Sequence, residues 1–317
     1  MVNKFKMNMS SKIYVAGHRG LVGSAVVESL KARGYNNLLL ATHSELDLMD
    51  TRAVKDFFKA NRPEYVIDCA ARVGGIEANS KYPAEFLYEN LQIQNNVIWQ
   101  AKEHGVKKFL FISTAAAYPN DSPQPIREEY LAQGEPDPTK AGYAYAKITG
   151  IKFCEFIYDE FGINFFSILP NNLYGEKDNF DPKSSHVIPA LIRRFHEAKV
   201  DNAPEVVIWG SGKARREFIY IEDLADAIVW LMENYNQKQY LNVGTGEDVS
   251  MKELAQLIKE LVGYEGKLVF DTTKPEGMLR RVYDVSKLNA AGWHHTTTLK
   301  EGLERTYAWY LKNVANN

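Results

Sequence analysis

Tyr143 and Lys147 lie four residues apart in the run Tyr143-Ala144-Tyr145-Ala146-Lys147. On a helix that spacing puts both on one face. A phenol with a pKa of about 10 is a weak acid–base partner at neutral pH. A neighbouring ammonium stabilises the phenolate and is expected to lower that value. Such a tyrosine can give a proton to a ketone oxygen as hydride arrives at the carbon. The same spacing is common on surface helices, so the pair needs support from elsewhere in the chain. Tyr145 points to another face and is expected to pack in the core.

Support comes from Gly17-His18-Arg19-Gly20-Leu21-Val22-Gly23, which follows a strand-like run and opens a helical pattern. Glycines there permit a tight turn, close approach of backbone to pyrophosphate, and close helix–strand packing. The helix N-terminus then turns its positive dipole end toward the phosphates. An acid ending the second strand would bind the ribose 2′-hydroxyl of NAD. Here that stretch reads Leu40-Ala41-Thr42-His43-Ser44, without an acid. Arg19 sits inside the loop, where its fork suits a 2′-phosphate, so NADP(H) is favoured. Asp47 is either a helix N-cap or a contact to adenine.

The elements that must position these residues follow in order. Strand-like runs at Lys12–Ala16, Asn37–Ala41, Tyr65–Cys69, Lys108–Ile112 and Asn164–Leu169 alternate with helical patterns at Leu21–Arg33, Ala53–Ala60, Pro83–His104 and Gly142–Phe161. Gly105 is placed to end the long third helix. Alternation of this kind predicts βαβ units and a parallel sheet. Phe109-Leu110-Phe111-Ile112 is the continuous apolar run of a buried parallel strand. The fold class is therefore α/β, a Rossmann-type doubly wound parallel sheet with a smaller C-terminal α/β substrate domain.

After Pro170 a loop rich in Asn, Gly, Asp and Pro runs to Ser185. Beyond it, strands are expected at Val206–Trp209, Phe218–Ile221 and Tyr240–Val243. Helices are expected at Leu224–Asn234, at Ser250–Val262 with Ser250 as N-cap, and at Leu299–Leu311. The expected division is a disordered tail over 1–11, a dinucleotide-binding domain over 12–169 that also receives about 211–245, and a substrate domain over 170–210 and 246–317.

Bulk properties exclude several classes. The net charge of −2 gives no basic field for nucleic acid. No apolar run reaches the roughly 18 residues of a membrane span. The polar segment Met1–Ser11 lacks the apolar stretch of a signal peptide and reads as a tail or a vector-derived remnant. Two cysteines, Cys69 and Cys154, form neither a metal motif nor a disulfide framework, which suits a reducing cytoplasm.

Gly17-x-x-Gly20-x-x-Gly23 together with Tyr143-x-x-x-Lys147 resembles the extended short-chain dehydrogenase/reductase family. In that family a Ser or Thr lies four residues before a Tyr that closes the fourth-strand segment. Ser113-Thr114-Ala115-Ala116-Ala117-Tyr118 puts Thr114 there, where its hydroxyl would bond the substrate carbonyl; the plain alternative is a threonine capping a strand end. Longer stretches narrow the resemblance: Val73-Gly74-Gly75-Ile76, Asn171-Asn172-Leu173-Tyr174-Gly175, Ser185-His186-Val187-Ile188-Pro189-Ala190-Leu191, Trp209-Gly210-Ser211-Gly212 and Arg215-Arg216-Glu217-Phe218. From about residue 12 onward the chain is similar to the GDP-L-fucose synthase family and its GDP-L-colitose relatives.

That resemblance implies a two-stage reaction on a GDP-4-keto-6-deoxy sugar: epimerisation at C3 and C5, then NADPH-dependent reduction at C4. It assigns Thr114, Tyr143 and Lys147 to reduction and His186 to proton transfer in epimerisation. It places Gly17, Arg19, Gly20, Leu21, Val22, Gly23, Asp47, Asn90, Lys147 and His186 toward the cofactor. Asn172, Val187, Leu191, Arg194, Trp209, Arg216 and Arg281 fall on the GDP-sugar side. Arginine forks suit a diphosphate, and Trp209 suits guanine or ribose packing. For Arg194 the plain reading is a helix-surface charge, and for His186 a loop histidine before a helix. The family also implies a homodimer through the two long helices flanking the fourth strand.

One departure stands out. The family ends its fourth-strand motif Ser-Ser-Cys-Ile-Tyr-Pro, and its cysteine pairs with the histidine in epimerisation. Here that position is Ala116, whose methyl group can neither take nor give a proton. Three readings stay open: a natural C4 reductase without full epimerisation, an enzyme that epimerises one carbon, or an engineered Cys→Ala change. Smaller departures are Asn171 for the usual Thr, and His43 where an arginine often meets the 2′-phosphate. Two other functions compete: an NAD-dependent sugar-nucleotide epimerase or dehydratase of the same extended family, and a dinucleotide sensor without catalysis.

Overall fold

A computed structural model describes residues 7–182, 184–274 and 277–315. The first half runs β1 (Ile13–Ala16), α1 (Leu21–Ala32), β2 (Leu38–Leu39), α2 (Thr51–Asn61), β3 (Tyr65–Asp68), α3 (Ile76–Lys81), α4 (Pro83–Glu103), β4 (Lys108–Ile112), α5 (Ala141–Phe161) and β5 (Asn164–Pro170). The second runs β6 (Asn172–Tyr174), α6 (Val187–Val200), β7 (Glu205–Trp209), β8 (Arg215–Arg216), β9 (Phe218–Tyr220), α7 (Ile221–Asn234), β10 (Leu241–Val243), β11 (Val249–Ser250), α8 (Met251–Val262), β12 (Lys267–Asp271), β13 (Arg280–Arg281), α9 (Ser286–Ala291) and α10 (Leu299–Asn313).

Six strands form a parallel sheet in the order β10-β5-β4-β3-β1-β2. The expected α/β doubly wound fold is what forms. The chain goes from β1 outward to β2, then returns to the other side of β1 for β3. That reversal makes a crevice at the carboxyl ends of β1 and β3, the usual ligand position in open α/β sheets. The β1, β3, β4 and β5 side chains are buried throughout, because helices cover both faces. Phe109 and Phe165 stack across β4 and β5 with centroids 4.9 Å apart.

Local signals fix the helix ends. Asp50 caps α2 by accepting the Arg52 and Ala53 N–H groups. Ser250 and Glu253 form a capping box on α8, as Thr298 and Glu301 do on α10. Lys108 is buried at the start of β4, where its ammonium donates to the Leu231 and Met232 carbonyls at 2.9 and 2.8 Å. A cation there satisfies the carboxyl end of α7 and its dipole. Burial pushes this lysine down to about 7.

Several expectations are corrected. Asp47 is not a helix cap: Asp50 takes that role, and Asp47 accepts the Met49 N–H in the preceding turn. The second strand shrinks to two residues. Tyr145 is 42% exposed and bonds Glu135 instead of packing inside. Met7 is buried in the core, and Ser11 is buried and bonded to Asn8, so residues 7–11 are folded rather than a disordered tail. Residues 1–6 of that tail lie outside the described residues. Of the 211–245 stretch, β10 joins the main sheet and α7 packs on α1, whereas β8 pairs with β11 and β13, and β9 with β6.

Candidate active site

Because the six strands are parallel, the loops after β1, β2, β3, β4, β5 and β10 leave from one rim of the sheet. The glycine loop after β1 lies at the reversal point. Gly17 has φ +71°, a left-handed conformation that favours glycine. A Cβ on Gly17 would touch the Ala70 and Cys69 backbone at 3.0 Å, and one on Gly23 would approach the Gly17 carbonyl oxygen to 2.2 Å. The loop is therefore folded back on its own helix as tightly as the chain allows.

Gly20 caps α1 with no side chain, and no acid occupies the first turn. The orphan N–H groups and the positive dipole end are left for an anion. Beside them lies a cleft of about 430 Å³ lined by Gly17, His18, Arg19, Gly20, Ala41, Thr42, His43 and Ser44. Arg19 and His43 are exposed in its lining, and His43 lies 3.9 Å from Asp47. Leu21 and Val22 pack on the core below. These residues fit a dinucleotide: a cradle without side chains, a free helix start and an exposed arginine in the cleft lining.

The second centre stands at the end of β4. Thr114 caps the short turn Ala115–Ala117, accepting the Ala116 N–H at 3.2 Å. Its side chain also acts on the Tyr143 phenol. Burial pushes Tyr143 up to about 12, and Thr114 opposes this. The expected lowering by the neighbouring ammonium is not met. Lys147 turns inward instead, donating to the Ile112 carbonyl at 2.8 Å with its nitrogen 4.4 Å from the Phe111 ring centroid. Burial pushes Lys147 down to about 8, against an opposing pull from Asp68.

Ala116 is buried beside Thr114. Arg281 crosses from β13 to donate to the Ala115 carbonyl at 2.5 Å. It thus reaches the turn that holds Thr114. Among the described residues its Nε is buried without a partner. His186 is exposed as the N-cap residue of α6.

The remaining candidates separate. Val187, Arg194 and Trp209 are exposed, Trp209 at 63%. Arg194 donates to the Val207 carbonyl at 3.0 Å, tying α6 to β7, and Lys274 lies over Trp209. Arg216 is half-buried and pairs in register with Arg281. Asn172 is exposed and donates to the Glu217 carbonyl. Leu191 is buried in the core, which makes it a packing residue of α6. Asn90 uses its amide on the backbone of Arg72 and Phe86, so it shapes the loop after β3.

Two residues escaped sequence reasoning. Glu217 is fully buried and accepts the N–H groups of Thr245, Gly246 and Tyr283, besides Asn171. It ties the segments carrying Arg216 and Arg281 to the loop after β10. A carboxylate inside the Arg-Arg-Glu-Phe motif was a signal for it. Asp68, buried at the end of β3, was marked only by an acid closing an apolar strand.

Comparison with known proteins adds to this geometry. The profile of the NAD dependent epimerase/dehydratase family matches residues 13–244. GDP-L-fucose synthase 1 of Arabidopsis thaliana is 53% identical over 307 residues, covering 97% of this chain and 95% of the relative. GDP-L-fucose synthase of Escherichia coli (strain K12) is 47% identical over 311 residues, covering 95% and 97%. A GDP-mannoheptose C4 reductase from Campylobacter jejuni, solved with NADP bound, superposes with a TM-score of 0.90 at 42% identity over 96% of this chain and 99% of that one.

Proposed function

This chain belongs to the NAD dependent epimerase/dehydratase family, and from that membership we propose that it reduces the C4 ketone of a GDP-linked 4-keto-6-deoxy-hexose with NADPH. The observation that carries the reading is Thr114, fixed at the end of β4 by the Ala116 N–H and acting on the Tyr143 phenol, together with the glycine cradle that closes on the start of α1.

NADPH, when bound, supplies hydride to the C4 carbon. Every other element comes from the chain. Tyr143 stays protonated across the physiological range, because burial holds its phenol far above neutrality. It therefore acts as the acid, donating its proton to the oxygen at C4. Thr114 holds that oxygen and the phenol in line. Lys147 supplies positive charge beneath the centre. Arg194, Arg216 and Trp209 are the groups offered to the GDP moiety, with forks for phosphate oxygens and an exposed indole for a flat ring.

Ala116 supports a finer reading, that reduction proceeds without epimerisation at C3 and C5. No proton-transferring side chain stands at the position where the family has cysteine. Cys69 and Cys154 do not replace it, since burial pushes both thiols up and keeps them protonated. A second reading, bifunctional epimerisation and reduction yielding a fucose- or colitose-type sugar, is favoured by the retained His186 and by the names of the relatives.

The test is NADPH consumption with GDP-4-keto-6-deoxymannose, with product identification by NMR in deuterated water. Turnover with little deuterium at C3 or C5 supports the first reading, and Ala116→Cys should raise incorporation. Rapid incorporation at both carbons by the unaltered protein favours the second. Cofactor binding without turnover of this or related keto sugars sinks both in favour of a sensor.

We further propose a cytoplasmic homodimer formed through α4 and α5. These helices pack on each other and leave Tyr88, Trp99 and Phe156 exposed. Among the described residues no helix is long and apolar enough to cross a membrane. A monomeric mass by light scattering would overturn the dimer.

A further inference from the structure

Asp68 closes β3 in register with Phe111 of β4. Paired residues of adjacent strands project to the same face. On that face lies Lys147 of α5, over the Phe111 ring and bonded to the Ile112 carbonyl. Asp68 is 0% exposed and Lys147 3%. One Asp68 oxygen accepts the Ala70 N–H at 3.1 Å, while the other is buried and without a partner among the described residues. A buried carboxylate oxygen left unpaired is costly unless a charge compensates it. Lys147 is the cation whose charge opposes the burial of Asp68, and Asp68 is the strongest of the charges that oppose the burial of Lys147.

We propose that Asp68 is a positioning residue for the reduction: its buried carboxylate, on the same sheet face as Lys147, keeps the ammonium charged where it donates to the Ile112 carbonyl at the base of the Thr114–Tyr143 centre. This rests on the reductase reading given above.

The groups facing the pair are few. Tyr14 on β1 feels the charge of Asp68, and burial with that charge raises its phenol, so it stays neutral. Cys69 follows Asp68, and Cys154 lies on α5; both thiols are pushed up by burial and stay neutral. Tyr143 is protonated. The pair is therefore the charged part of this interior. Burial pushes Asp68 up to about 6 and Lys147 down to about 8. Between those values the carboxylate and the ammonium are charged together. Removing the carboxylate leaves burial unopposed, and Lys147 loses its proton at lower pH.

Asp68→Asn keeps the shape and the acceptor for Ala70 while removing the charge. The expected result is that the alkaline limb of kcat/KM for keto-sugar reduction moves down by about one pH unit or more. Activity should stay near that of the unaltered enzyme at pH 6 and fall about tenfold at pH 8. A uniform loss at every pH, or an unchanged profile, overturns the proposal. A second measurement needs no substrate and is read on the wild-type enzyme. The 13Cε resonance of Lys147 in labelled wild-type enzyme, assigned by its absence in Lys147→Arg, is followed with pH. It should show its own titration near 8 and a second inflection near 6, as Asp68 protonates. Absence of the second inflection overturns the proposal. If the enzyme reduces no keto sugar while the resonance shows both steps, the functional reading fails and the pairing stands.

Discussion

Arg281 Nη2 donates to the carbonyl oxygen of Ala115 at 2.5 Å, joining β13 to the turn that presents Thr114 and Ala116. An arginine proposed for the nucleotide side thus fixes the backbone of the turn that Thr114 caps. Arg281→Lys keeps the charge but shortens and narrows the donor fork. It is expected to lower kcat by on the order of tenfold, because small misplacement of a catalytic group is costly. GDP affinity, measured by calorimetry, should change far less than kcat. An equal loss in both would assign Arg281 to nucleotide binding alone.

Tyr143→Phe removes the acid and leaves the ring. The reduction rate should fall by about 10²- to 10⁴-fold, with NADPH binding unchanged by fluorescence titration. Turnover within a few-fold of the original enzyme would remove Tyr143 from the acid role.

Gly23→Ala places a methyl group 2.2 Å from the Gly17 carbonyl oxygen. That oxygen belongs to backbone and cannot swing aside, so the loop must open. A stability loss of about 1–3 kcal/mol is expected in urea unfolding, with NADPH affinity weakened at least tenfold. Unchanged affinity would show that this loop does not carry the cofactor.

Acid stability should report Asp68. Its pKa in the folded protein is raised, from an ordinary 3.8 to about 6, mainly by burial. A raised folded value means the contribution is fully present below the unfolded value and is lost as pH rises through the folded one. The stability of the original enzyme relative to Asp68→Asn should therefore decline between pH 4 and pH 6, then level off. Denaturant unfolding of both proteins at three pH values checks the sign. A difference that grows with pH over this range would contradict the raised value.

Much of the fold was legible because periodicity and capping act locally. The all-apolar run Phe109–Ile112 could only be an interior strand, and Ser250 marked the start of its helix. The glycine loop was readable for the same reason, since its geometry is fixed within seven residues. What escaped were relations between distant segments. Tyr145 looked apolar enough for the core, yet Glu135 draws its hydroxyl outward. Lys147 shares a helical face with Tyr143, but the Ile112 carbonyl and the Phe111 ring take its ammonium inward. Asp68 and Glu217 matter through partners far along the chain, as Lys147 and Tyr283 show. The two-residue strands β8, β11 and β13 hold together only by pairing with one another, so no local pattern announces them.

The route of the chain through the main sheet has a mechanical consequence. It leaves after Pro170, returns through α7 and β10, and leaves again after Val243. The two portions are stitched to each other, not strung on a single tether. A protease that nicks one connecting stretch leaves fragments that still share a sheet and should stay associated. The same stitching makes wholesale exchange of the second portion difficult for evolution or for a designer. New specificity is more readily reached by editing the loops along the common rim, where each can change without unravelling its neighbours.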